Sequence, residues 1–310
     1  MELDLATELQ SLYKRFGHLP GVYFELHRNL IALSLKTPQA DALIFVQGAQ
    51  VCQFQPKGEP PVLWLSEHNQ YQEGQPLRGG IPISWPWFAD LSKNPAVISG
   101  QLAATDSAAA HGFVRNGHWQ LANIELDGEL YRVTLTFEPD PSAWPFACAL
   151  QLCVTIGRQL QLALTVKNFD EQPFHYALAL HSYFNISNID LVRVEGLTGK
   201  DYVDCLLEWQ LDQQNDALTI AQEVDRIFPD LNGEVALVDC GFKRTIRLQS
   251  EGLPSLVVWN PWRDKGARLS QFGEGDYQQM LCLESGALLD NIATCAPASD
   301  RYHSLVITTA

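Results

Sequence analysis

The sequence predicts an all-β chain: a single large β-sandwich domain spanning all 310 residues, with a short helix at 1–18 packed on it. Three observations carry this. Apolar residues alternate with a period of two from about residue 22 almost to the end. Hairpin dipeptides recur at short intervals. The strand-like runs outnumber the roughly seven to nine strands of an immunoglobulin-type sandwich.

The elements follow in chain order. Leu5, Leu9, Leu12 and Phe16 fall at helical spacing and write an amphipathic N-terminal helix. Strands are expected at 22–26, 30–35, 42–46, 51–55, 119–126, 130–138, 146–156, 159–166, 174–180, 244–249, 255–259, 280–284 and 302–308. The clearest places Leu160, Leu162, Leu164 and Val166 on one face. Asp127-Gly128, Gly157-Arg158 and Asn232-Gly233 read as hairpin turns, the second as a two-residue connection. Two domains would be separated by a polar linker near the middle, but the middle reads as hairpin after hairpin. Two stretches, 75–90 and 97–112, lack strand character, and loops on a rigid scaffold are where sites are built.

Composition excludes several partners. The chain is 46% hydrophobic and 10% aromatic, and its 18% charged residues fall below the roughly 25% of an average soluble domain. A formal charge of −15 repels nucleic acid and anionic membranes, so neither is expected as a partner. A small anion could still be held by arginines placed locally. The start has no apolar signal region, and no apolar run approaches the roughly 18 residues of a membrane span. Seven scattered cysteines without a CxxC pair read as reduced core thiols of a cytoplasmic protein, in which the sequon at Asn185 is incidental.

No HExxH, GxxxxGK[ST], GxSxG or GxGxxG occurs, and the eight histidines contain no close metal-ligand spacing. A metal site would have to be assembled from distant His111, His175 and His181, and that is the lesser reading. Four segments carry more. In 77–88 (LRGGIPISWPWF), Arg78 precedes two glycines, while Trp85, Trp87 and Phe88 offer flat faces of the kind that stack on sugars. The same loop also reads as a proline-stiffened plug with its arginine in solvent. In 111–116 (HGFVRN), His111 and Arg115 stand four apart beside a glycine, which equally suits a satisfied histidine and a surface arginine. His181 follows an apolar strand in HSYFN and could be a hydrogen-bonded core residue. Glu284 closes the apolar run of QMLCLESG, where a carboxylate is costly unless it is paired or used.

Taken in order with Gly196-Leu…Tyr202-Val-Asp204 and Val257-Val-Trp-Asn-Pro-Trp262, these segments resemble the aldose 1-epimerase superfamily, and closely its hexose-6-phosphate mutarotase branch. The resemblance runs from about residue 77 to 286. It implies a galactose-mutarotase-like β-supersandwich, no metal or organic cofactor, and a sugar held in an open cleft. It departs at Ala89-Asp90, where a glycine commonly follows WPWF. Anomer interconversion needs a proton taken from the C1 hydroxyl and one given to the ring oxygen. A carboxylate and an imidazolium flanking the acetal suffice, each worth roughly 10²–10⁴-fold. The resemblance implies Glu284 as base and His181 as acid, with His111 on the sugar and Asp204 on ring hydroxyls. Guanidinium forks suit phosphate, so Arg78 and Arg115 are expected to clamp it. The expected protein is a monomeric isomerase acting on a small sugar phosphate. Two rivals remain: a mutarotase for unphosphorylated aldoses, and a carbohydrate-binding sandwich without turnover.

Overall fold

The computed structural model describes residues 4–102, 108–231 and 233–310. A helix at Leu5–Phe16 opens the chain, with the Asp4 side chain accepting the Ala6 N–H at its start. Leu12 and Phe16 are buried against the body, and Arg15 donates to the carbonyls of Leu121 and Ala122 at 3.1 and 2.6 Å. The helix is therefore docked on the strand Gln120–Asp127, shorter than the expected 1–18.

Three antiparallel sheets form the body. Four strands from Val22–His27 to Gln50–Pro56 pair in chain order. An eight-stranded outer sheet runs from Val192–Glu195 through Asp300–Thr309, Leu160–Asn168 and Cys148–Ile156 to Gln120–Asp127. A second eight-stranded sheet is centred on Met280–Ala287, flanked by Ser255–Asn260 on one side and by Leu178–Leu180 and Tyr183–Asn185 on the other. Leu160, Leu162, Leu164 and Val166 are fully buried and meet Leu281 and Leu283 in one core. Each such side chain contributes roughly 1.5–3 kcal/mol by leaving water.

Several expectations change. Ile156 pairs with Leu160, so Gly157 opens a three-residue turn rather than a two-residue one. Asn232 lies outside the described residues; the strands on either side of it, Val224–Phe228 and Val235–Asp239, belong to different sheets and do not form a hairpin. The expected strand at 174–180 breaks at Ala177, whose N–H turns to the Pro86 carbonyl. Its halves join different sheets. All seven cysteines are free; Cys52, Cys148, Cys282 and Cys295 are buried, but Cys240 is exposed. Residues 103–107 of the irregular stretch at 97–112 lie outside the described residues. Among the described residues no helix is long and apolar enough to cross a membrane.

Strand register positions the site. Val258 lies opposite Leu283, and both point into the core; Val257 lies opposite Glu284, and Tyr183 opposite Cys282. Side chains two apart share a face, so Cys282, Glu284, Tyr183 and Val257 all look away from the core. A carboxylate in this apolar run is thereby placed on the sheet's second face, beneath a layer of loops.

Candidate active site

That face is the floor of a cleft of about 320 Å³. Glu284 stands mid-strand, 1% exposed, with Oε2 lacking a hydrogen-bond partner. His181 follows Leu178–Leu180, its N–H held by the Pro82 carbonyl at 3.0 Å. Its ring stacks flat on Tyr183, with centroids 4.7 Å apart and planes 5° from parallel. Nδ1 lies 3.3 Å from Glu284 Oε1, an ion-pair distance without hydrogen-bond alignment. Burial, then Asp225, pushes the Glu284 carboxyl well above its ordinary range. Burial, then His111 and the two guanidiniums, holds His181 well below its own. Both directions disfavour charge, on the imidazole as on the carboxyl.

His111 arrives from the loop above. It takes a left-handed backbone (φ 65°), and a side chain at Gly112 would meet the Trp85 carbonyl at 1.9 Å, so only glycine lets the two loops touch. His111 Nδ1 accepts the Ala89 N–H at 3.4 Å and lies 3.1 Å from Ser84 Oγ. Burial, with Arg115 and Arg78 adding to it, lowers the His111 pKa to about 3. The ring is then neutral, and the acceptor role of Nδ1 assigns its proton to Nε2. It is a fixed hydrogen-bond donor, 5.4 Å between ring centroids from His181.

Arg78 and Arg115 close one side. Asn69 grips Arg78 at both backbone groups, accepting its N–H at 2.8 Å and donating to its carbonyl at 2.9 Å. Arg78 Nε donates to the Ser270 carbonyl. Arg115 Nη2 donates to the Ala110 carbonyl at 2.8 Å, and its buried Nε has no partner. Neither guanidinium lies within ion-pair distance of a carboxylate among the described residues, and each disfavours charge on the two histidines. Two guanidiniums without a carboxylate partner thus face the cavity, and such forks suit anions.

Five of the six expected residues thus converge: Arg78, His111, Arg115, His181 and Glu284 all line the cleft. Asp204 does not. It lies opposite Arg226, on the core-facing side of the sheet, with Oδ2 3.5 Å from Arg226 Nε and Oδ1 accepting the Leu206 N–H. The carboxylate that joins Glu284 in the cleft is Asp225, opposite Trp259. Burial raises its pKa to about 6, against the pull of Lys265 Nζ 3.9 Å away. Trp85 and Trp87 are core residues rather than sugar platforms; Trp85 packs on Trp144 and Phe113, and Trp87 Nε1 donates to the Ala109 carbonyl. The aromatic walls are Phe88, Tyr183, Trp209 and Trp259. His175 bonds Thr294 away from the cleft, so the three-histidine metal arrangement is not assembled. A wider groove beside Arg263 and Tyr277 contains no buried unpartnered polar side chain.

A floor carboxylate, an adjoining imidazole and a second, neutral imidazole thus share one cleft of about 320 Å³. The aldose 1-epimerase family matches residues 32–298, and the chain belongs to it. It is an isomerase with a small-molecule sugar as substrate. A protein of Cenchrus ciliaris named "Putative glucose-6-phosphate 1-epimerase" is 33% identical over 260 residues, covering 80% of this chain and 75% of that one. A protein of the same name from Salmonella typhimurium is 32% identical over 257 residues, covering 80% of each. In fold, the chain is similar to a crystal structure titled as a putative mutarotase (YeaD) from Salmonella typhimurium, with TM-score 0.85, 24% identity, and coverage of 98% and 99%.

Proposed function

We propose that the chain interconverts the α and β anomers of a hexose 6-phosphate, glucose 6-phosphate foremost. The observation that carries this is the pair of uncompensated guanidiniums, Arg78 and Arg115, in the cleft that holds His181 and Glu284. A neutral aldose gives two such charges nothing to meet, whereas a phosphate dianion takes both. The relatives named for glucose 6-phosphate support the same reading.

In this reading Glu284 removes the C1 hydroxyl proton while His181 protonates the ring oxygen, giving the open aldehyde. Rotation about C1–C2 and reversal of the transfers close the other anomer. Burial is the main cause that keeps a proton off His181, and the arginines add to it; phosphate bound there offsets their part and so favours imidazolium beside carboxylate. His111 Nε2–H and Asp225 serve the hydroxyl groups.

The test is NMR of freshly dissolved α-glucose 6-phosphate relaxing to anomeric equilibrium. Acceleration well above that for glucose and galactose is expected. Faster relaxation of a neutral aldose would refute the phosphate assignment, and no acceleration of any aldose would refute turnover.

A further inference from the structure

The face that carries Glu284 also carries a thiol that the epimerase chemistry does not use. Cys282 is two residues before Glu284 on the same strand and opposite Tyr183, on whose ring His181 stacks. One ligand atom each from His181, Cys282 and Glu284 lies within 4.8 Å of the other two. His181 Nδ1 and Glu284 Oε2 are both buried without a hydrogen-bond partner. His181 is 7% and Glu284 1% exposed.

We propose that His181, Cys282 and Glu284 form a binding site for a soft divalent cation of the zinc class, and that occupancy excludes the sugar and arrests the enzyme. The geometry fits. Bond lengths of roughly 2.0–2.3 Å to a tetrahedral ion put neighbouring nitrogen and oxygen ligands about 3.3 Å apart, and Nδ1 and Oε1 are 3.3 Å apart. Imidazole, thiolate and carboxylate together suit zinc and leave magnesium, which requires octahedral oxygen, poorly served. His181 and Glu284 line the cleft, so the ion enters from the sugar side and a water takes the fourth position. Coordination sends the thiol proton, and any proton on Glu284, to solvent, and no electron is transferred. The thiolate and carboxylate then cancel the ion's two charges, which makes the site tolerable beside Arg78 and Arg115.

The inference rests on the cluster's geometry and is read independently of turnover. Cobalt(II) added to the full chain is expected to give thiolate-to-cobalt charge transfer and the intense visible bands of a tetrahedral ion. Both should be absent from Cys282→Ala. In the anomer-exchange assay, zinc should inhibit while magnesium does not. Cys282→Ala should keep its activity and need about 10–100-fold more zinc for the same inhibition, at least the loss expected from an outer-shell change. Zinc inhibition unchanged in Cys282→Ala, or no thiolate–cobalt band in the unaltered protein, would overturn the proposal. If Cys282→Ala fails to fold, the cobalt spectrum of the unaltered protein decides alone.

Discussion

Replacing Arg115 by methionine tests the phosphate subsite most directly. Methionine keeps much of the side-chain volume and removes the buried, unpartnered Nε and the Nη2 bond to Ala110. A hydrogen bond to a charged group contributes about 1.5–3 kcal/mol, so kcat/KM for glucose 6-phosphate should fall about 10- to 150-fold. The Ala110 bond, made by a charged donor, falls in the same range of about 1.5–3 kcal/mol, and relief of a desolvated charge offsets it, so the melting temperature should move little. Anomer exchange measured by NMR on glucose 6-phosphate and on glucose separates the effects, because the loss belongs to the phosphorylated sugar alone. Inhibition by inorganic phosphate should weaken by a similar factor. Equal losses on both sugars would show that Arg115 shapes the cleft instead of reading the phosphate.

Glu284→Gln should lower kcat by about 10²–10⁴-fold with an unchanged melt; near-normal exchange would remove Glu284 from the chemistry. Asp225→Asn should lower kcat/KM by about tenfold or more if its carboxylate accepts sugar hydroxyls, and an unaltered value would leave Asp225 a partner of Lys265 only. His303 sets an acid limit on stability. Buried, and bonded to Tyr176 and to the Gly252 carbonyl at 2.7 Å each, it has its pKa lowered to about 4, burial being the main cause. The unfolded chain takes that proton near 6.5 and the native chain does not, so stability is full above about 6.5 and falls as pH drops towards 4, by about 3 kcal/mol. His303→Gln should flatten the urea-melt profile across that window; an unchanged slope would refute the assignment.

The alternating strands were legible because period two is written residue by residue, as at Leu160 to Val166. Short strands such as Tyr183–Asn185 and Asp201–Asp204 were not, since three or four residues hold no pattern and their pairing is set by distant partners. Glu284 was legible as a carboxylate in an apolar run. Asp204 and Asp225 show the limit: each ends or interrupts a short strand, and only register decides which faces the cleft. Trp85 and Trp87 misled for a related reason. An aromatic beside proline reads alike whether it meets a ligand or the core, and here the core takes both.

Glu284 pairs with Val257 on one side, and on the other its strand is held by Leu178–Leu180 above and Tyr183–Asn185 below it. Arg78, by contrast, hangs from a loop, and Arg115 from a single 3-10 turn at Val114–Asn116. In the proposed reaction the base therefore sits on the sheet and the phosphate contacts sit outside it. Grafting different loops over the same strand would change which sugar is accepted without rebuilding the proton-transfer pair. In the proposed reaction the group that swings between the two faces is the aldehyde of the sugar, above a base held in the sheet.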